Sequence, residues 1–222
     1  RLHVARACVL DNLANLRTDG YRRRLAPIEA NGATTLDCNA GCLCETERPL
    51  DLAIDGEGFF VGRAPDGELR YTRNGSLQFD SEGRMVFADG TRLEPEISVP
   101  ADTLDLSIDA SGTVRVATAS SPDASQTIGQ IELAHFACPQ HLAPVDKTWL
   151  ASKPHCGAVV RANPGTNGLG VVRQRFLERS NCQVVREVCA LRDVDTRLVE
   201  AHTRRGWLRA EPQPVRLPAA TK

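Results

Sequence analysis

The chain is poor in aromatic residues (5%), holds a single methionine, and carries almost no net charge, 27 Lys+Arg against 28 Asp+Glu. Near-neutrality excludes the broad electrostatic footprint of a nucleic-acid-binding domain. The arginines are scattered or stand in short runs, Arg22-Arg23-Arg24 and Arg204-Arg205, and such runs read as solvated faces. No apolar run approaches the roughly 20 residues needed to span a bilayer. Nor does a basic-then-apolar leader open the chain, since Arg1-Leu2-His3-Val4-Ala5-Arg6 already reads as an amphipathic helix. The sequence starts at Arg1 rather than at methionine, so a leader can precede it in a longer protein. Asp51 and Asp55 have no second acidic pair beside them, which leaves a glycosidase dyad without support. The glycine-rich stretch Gly165–Gly170 lacks the lysine of a phosphate loop. It reads as a flexible hinge.

What the chain has in excess is cysteine, eight in 222 residues. Cys38, Cys42 and Cys44, with His155-Cys156, could in principle assemble a tetrahedral zinc site, but the spacing is not that of a knuckle and no second pair repeats it. An even count allows disulfides, in 105 connectivities that sequence cannot resolve, while a chain this long does not need staples. Cys182 and Cys189 lie a heptad apart, too far to bond within one helix. A thiol hydrolase using His135, His141 or His155 as base lacks any nucleophile turn around a cysteine. The bland reading of these residues is small side chains that behave as modest hydrophobes. No metal, cofactor or catalytic residue is expected.

The body of the protein starts at Arg48-Pro49-Leu50-Asp51-Leu52-Ala53-Ile54-Asp55. Leu50, Leu52 and Ile54 share one strand face by the period of two and call for a core beneath them. Gly56 and Gly58 then permit a bend before Phe59-Phe60-Val61. Turn signals recur every eight to ten residues at Pro65-Asp66-Gly67, Asn74-Gly75, Ser81-Glu82-Gly83, Asp89-Gly90 and Ser111-Gly112, each marking a reversal. Strands are expected between them, then over Ile128–Phe136, near Trp149-Leu150 and Ala158–Val160, and finally from Val171 to Leu177. Such short, regularly spaced strands predict an antiparallel β-sandwich or partly open barrel.

The ends differ. Leu2, Ala5, Val9, Leu13 and Leu16 form one helical stripe, stopped by Asp19-Gly20, where glycine suits a C-terminal cap. Ser180-Asn181 can cap a second helix, with Glu187 in its early turns. Val184, Val188, Leu191 and Leu198 follow helical spacing, and Asp195 interrupts the seam. The two helices are expected to pack as a coiled coil. The organisation that results is a terminal helix and motif over 1–24 and an extended linker over 25–47, with short strands near Thr34–Leu36 and Cys42–Glu45. A β-rich body over 48–179, a helix over 180–208 and a disordered proline-rich tail over 209–222 follow.

Several stretches, in order, resemble the bacterial flagellar rod proteins. They are Asp11-Asn12-Leu13-Ala14-Asn15 with Thr18-Asp19-Gly20-Tyr21-Arg22, the run from Arg48 to Val61, the run from Tyr71 to Gly90, Gly129–Phe136, and Pro164–Gly170 with Leu177-Glu178-Arg179-Ser180-Asn181. The pattern is more similar to the distal-rod members than to the proximal-rod, hook or hook-junction members. Against those members the 25–47 connection is short, and Thr196-Arg197-Leu198-Val199-Glu200 keeps only the arginine and glutamate of the family's segment.

The resemblance implies a structural, non-enzymatic subunit whose terminal helices form the inner layer of a helical homo-oligomeric tube transmitting torque from motor to hook. Its implied partners are other copies, other rod and hook axial proteins and the surrounding ring proteins, with no nucleic acid and no membrane span. It implies a place in the basal body, in the rod crossing the periplasm, reached by flagellar export without a cleaved Sec signal. Asn12, Leu13, Asn15, Leu16, Ser180, Asn181, Val184, Val188, Leu191 and Leu198 are the expected assembly residues, the two short helices ordering only as subunits join. The alternative is a periplasmic binding or adaptor module that retains only the β-body.

Overall fold

The computed structural model describes residues 2–26 and 34–204. Pro27 and Asn31-Gly32 of the linker, the expected helix beyond residue 204 and the expected disordered tail lie outside the described residues. Helix α1 (Leu2–Ala14) opens the chain, followed by β1 (Arg24–Leu25), β2 (Thr35–Leu36) and β3 (Leu43–Glu45). The body begins with β4 (Asp51–Asp55), β5 (Phe59–Arg63), β6 (Leu69–Thr72), β7 (Gly75–Phe79), β8 (Met85–Phe87) and β9 (Arg92–Leu93). It continues with β10 (Thr103–Ile108), β11 (Thr113–Thr118), β12 (Ser121–Gln130), β13 (Leu133–Phe136), β14 (Ala143–Pro144), β15 (Leu150–Ala151) and β16 (Val159–Ala162). Strands β17 (Val171–Gln174) and β18 (Phe176–Glu178) lead to helix α2 (Val184–Arg204). The protein is thus mainly β, with one helix at each end.

Eleven strands join in one antiparallel sheet running β14-β15-β6-β5-β9-β8-β7-β4-β17, with β13 bonded to both β5 and β16. Strands β10, β11 and β12 form a separate meander, and β1–β2 and β3–β18 are two-stranded pairs. The described strands close no barrel.

Strand β5 is buried on both faces, and its alternation divides the core. Phe60 enters a cluster with Leu52, Ile54, Leu77, Met85, Leu93, Ile131 and Leu133, with Leu50 at its margin. Phe59 and Val61 point into a second cluster with Tyr71, Phe136, Leu142, Leu150, Cys156 and Leu36. Each large apolar side chain so buried contributes about 1.5–3 kcal/mol. Trp149 meets Phe87 edge-on at 4.8 Å between centroids and donates its indole N–H to Asp89 at 2.6 Å, which satisfies its one donor.

Several local expectations are corrected. Asn74-Gly75 is no hairpin, because β6 and β7 do not pair; β7 pairs β8 and β4 instead. Gly75 is required by proximity, since a Cβ there would lie 2.0 Å from the Leu52 carbonyl oxygen. The strand expected over Ile128–Phe136 breaks between Gln130 and Leu133. The polar first half of β12 carried no strand pattern in the sequence. The last strand is also two: Arg175 adopts φ 65°, and the chain leaves β4 to pair with β3. Gly165–Gly170 is a bonded turn, with Gly165 N–H donating to Gly170 O and Gly170 N–H to Glu57 O.

Candidate assembly site

The two ends of the chain meet over a buried polar cluster. Helix α1 ends at Ala14, so Leu16 lies beyond it. Its inner face is Cys8, Val9 and Asn12, rotated from the expected stripe, with Leu2, Ala5, Leu13 and Leu16 half-buried. Asn12 is fully buried, and its amide group is saturated. Its Nδ2 donates to Arg24 O at 2.9 Å and to Glu187 at 3.0 Å, while Oδ1 accepts from Arg24 N–H at 2.8 Å and from the Tyr21 hydroxyl at 3.2 Å. One side chain thereby stands in for a neighbouring strand along β1. Burial pushes the Tyr21 phenol well above its ordinary value, so it remains a donor. Glu187 of α2 also receives the Arg23 guanidinium in a buried ion pair.

A second carboxylate ties the same segment to the body. Glu178, at the end of β18, accepts from Arg22 and from Arg73, each at 2.6 Å, and from Gly41 N–H at 2.8 Å. Arg73 spends its remaining donors on the carbonyls of Ile54, Gly56 and Gly58 at 2.6–3.0 Å. Burial draws the Arg73 pKa down while Glu178 opposes that shift. Two guanidiniums surround one carboxylate, all three side chains buried. Arg73 places its donors on Glu178 and three carbonyls, whereas Arg22 reaches Glu178 and Asn39 O through Nη1 and leaves its buried Nε without a partner. Gly20 lets the chain through: it lies six positions past the helix, not at its cap, and a Cβ there would sit 2.2 Å from Asn74 N. Its N–H donates to Glu178 O at 2.7 Å.

The expected assembly residues divide into two groups. Asn12 and Asn181 lie at the junction, and Asn15 closes α1 by donating to Asp11 O at 2.8 Å. Asn181 is not a helix cap. It accepts from Arg23 N–H at 2.7 Å and donates to the carbonyls of Asp37 and Asn39, both at 2.9 Å. Ser180 accepts from Cys182 N–H at 3.3 Å, and α2 starts at Val184. Leu191 and Leu198 are half-buried, as are Leu13 and Leu16. Val184 and Val188 are 56% and 52% exposed, on the outer face with Val185 and Val199. Asp195, the interruption of the seam, pairs with Arg6 of α1 at 2.8 Å.

Sequence reasoning missed Glu178, Glu187, Arg22, Arg23 and Arg73. The run Arg22-Arg23-Arg24 is not a solvated face, for Arg22 and Arg23 are 7% and 8% exposed. The available signal was sign complementarity between that run and the acids at 178 and 187. The eight cysteines are free thiols dispersed from α1 to α2; Cys38 and Cys42 are exposed while Cys156 is buried.

The β-body with its ends brought together defines the class. Residues 53–116 match the family model described as the flagellar hook protein FlgE/F/G D1 domain. Over most of its length the chain is similar to named rod proteins. It is 37% identical to the flagellar basal-body rod protein FlgG of Caulobacter vibrioides, covering 82% of this chain and 81% of that protein. It is 31% identical to the FlgG of Agrobacterium fabrum over the same shares, and 29% identical to that of Buchnera aphidicola subsp. Acyrthosiphon pisum over 81% and 80%.

The chain belongs to the FlgG family of flagellar basal-body rod proteins. It is a structural subunit of the rod, in a family that implies assembly with other axial proteins and no enzymatic role. Among the described residues no helix is long and apolar enough to cross a membrane.

Proposed function

We propose that this subunit self-assembles through its terminal helix pair into a helical tube, the axial shaft that transmits torque from motor to hook. The observation that supports this reading is an outward apolar patch at the start of α2: Val184, Val185 and Val188 are all more than half exposed, with Val199 on the same side beyond the exposed Arg192, while Glu187 is fully buried. A patch of valines on the solvent side of a docked helix is unfavourable in a monomer and is covered when a second copy packs on it. Heterologous contacts whose rotation does not close propagate as a helical filament, and this reading takes the contact to be of that kind.

The ends are therefore prefolded parts, held by Asn12, Arg23 and Glu187 within one chain, instead of segments that order only on joining. Residues 1–24 and 180–208 form the inner layer in this reading, with coiled-coil packing between subunits, and 25–47 connects them to the sandwich-like body over 48–179. The subunit travels by flagellar export without a cleaved signal, and in the periplasm it meets other rod and hook subunits and the surrounding ring proteins.

Sedimentation velocity over a concentration series in reductant, with far-UV circular dichroism alongside, tests the reading. Large species should form with little gain in helicity. A strictly monomeric chain at all concentrations would overturn it and favour an isolated adaptor module.

A further inference from the structure

Two cysteines distant in sequence are neighbours at one end of the body. Cys138 N–H donates to Cys156 O at 3.1 Å. Standard bond lengths around one N–H···O=C bond keep the two Cα atoms within roughly 6.5 Å of each other, under the limit of about 6.8 Å that a disulfide requires. Among the described residues no other two cysteines share a backbone hydrogen bond. Each stands at a short 3-10 turn, Pro139–His141 after Cys138 and Pro154–Cys156 ending on the second thiol. Beyond the paired ends of β13 and β16, where Phe136 faces Val159, the chain bends at Gly157 (φ 79°) and brings these turns together. Cys156 is fully buried, its Sγ 3.4 Å from Lys153 N, whereas Cys138 is half-buried.

We propose that Cys138 and Cys156 are a thiol pair built to close into an intramolecular disulfide when the protein meets an oxidising disulfide. The half-buried Cys138 thiolate attacks one sulfur of the external disulfide, forming a mixed disulfide and releasing one external thiol. Cys156 thiolate then attacks the Cys138 sulfur and expels the second. The two protein thiols are oxidised, the external disulfide is reduced to two thiols, and the two protons pass to those thiols. A rotation about the Cys156 side-chain bond, giving up the contact to Lys153 N, is the motion the step requires.

The closed bond pins the two turns against the cluster of Phe136, Leu142, Leu150 and Leu36. Leu36 belongs to β2, so the same staple steadies the ledge on which the segment from the chain ends crosses to the body. It thus acts at the junction between assembly helices and body, and it stands whether or not the chain polymerises.

The test uses the reduced full chain with oxidised glutathione as the probe, followed by alkylation, tryptic digestion and mass spectrometry. A linked pair of peptides carrying Cys138 and Cys156, lighter by two hydrogens than the reduced pair, is expected. The oxidised chain should also melt higher by about 5 °C or more, a gain absent from Cys138→Ser. That variant changes a half-buried position, and the peptide map needs no variant at all. The proposal is overturned if both thiols remain alkylatable, if they stop at separate glutathione adducts, or if Cys138 links to another cysteine.

Discussion

Asn12 and Glu187, 175 positions apart, share a hydrogen bond of 3.0 Å in the protein interior. With Arg23 on the other carboxylate oxygen, that contact joins the first helix to the last. The contact lies within one chain and ties its two ends together.

Replacing Glu187 by alanine should destabilise the chain by about 3–5 kcal/mol, since it leaves the Arg23 charge and one Asn12 donor buried without partners. Urea denaturation measures the loss, and hydrogen exchange should locate it in α1 and α2. A change under about 1 kcal/mol would mean that the junction relaxes to let water in and is not the clamp described.

Arg73→Met should cost a similar about 3–5 kcal/mol, because Glu178 and the carbonyls of Ile54, Gly56 and Gly58 lose a shared donor. Arg22→Met removes one partner of the same carboxylate and leaves the Arg73 fork, so it should cost less. A double-mutant cycle with Glu178→Gln checks the assignment: Arg73 and Glu178 should be strongly non-additive. Additivity would sink it.

The sequence made the body legible where the rule is local. Glycines at 67, 83, 90 and 112 all have positive φ in turns that the Asp-Gly and related pairs announced, and the alternation of Leu50, Leu52 and Ile54 led to the principal core. It failed where the reason lies far along the chain. Asn74-Gly75 looks like a hairpin, yet Gly75 is small because Leu52 passes beside it. Arg22 and Arg23 look solvated because their acids come 156 and 164 residues later. Val184 and Val188 share a period with Leu191, yet they face out because Glu187 takes the inner position.

Gly75→Ala tests the proximity argument. The added methyl would have to displace the β4 backbone, so a loss of about 1–3 kcal/mol or more is expected. Gly67→Ala is the contrast: it has positive φ and open space around it, so only the conformational cost of about 1 kcal/mol applies. If both cost the same, crowding at Leu52 is not what requires Gly75.

Acid should weaken the body through its hydrogen-bonded carboxylates. The Arg63 guanidinium lowers Glu94 from its ordinary 4.5, and bonds from the Ser111 hydroxyl and then the Thr113 and Ser111 amides lower Asp109 from 3.8. A folded value below the unfolded one gives stability that is complete above the unfolded value and is lost as pH falls through the folded one. Melting temperature should therefore hold above pH 4.5 and fall steadily below it. Asp109→Asn should start lower at neutral pH and fall less steeply below pH 3.8. A parallel acid limb in the variant would exclude Asp109 as a contributor.

The outer row of α2 provides the most direct separation of folding from assembly. Val184 is the first residue of α2, and Val188 lies one turn further on the same exposed side. Aspartate at 184 sits where the helix dipole favours negative charge, so Val184→Asp should leave monomer stability within about 0.5 kcal/mol or raise it slightly. Placed in an intersubunit contact against the valines of a second copy, the carboxylate at 184 loses its water, and burying a charge in apolar surroundings is costly. Val184→Asp combined with Val188→Asp should thus remain folded by circular dichroism and sediment as a monomer at concentrations where the parent chain polymerises. Glu187→Ala should instead lose both stability and assembly, since it unseats the helix that carries the row. If the double variant polymerises like the parent, the valine row is not the interface, and the contact must be sought on the body.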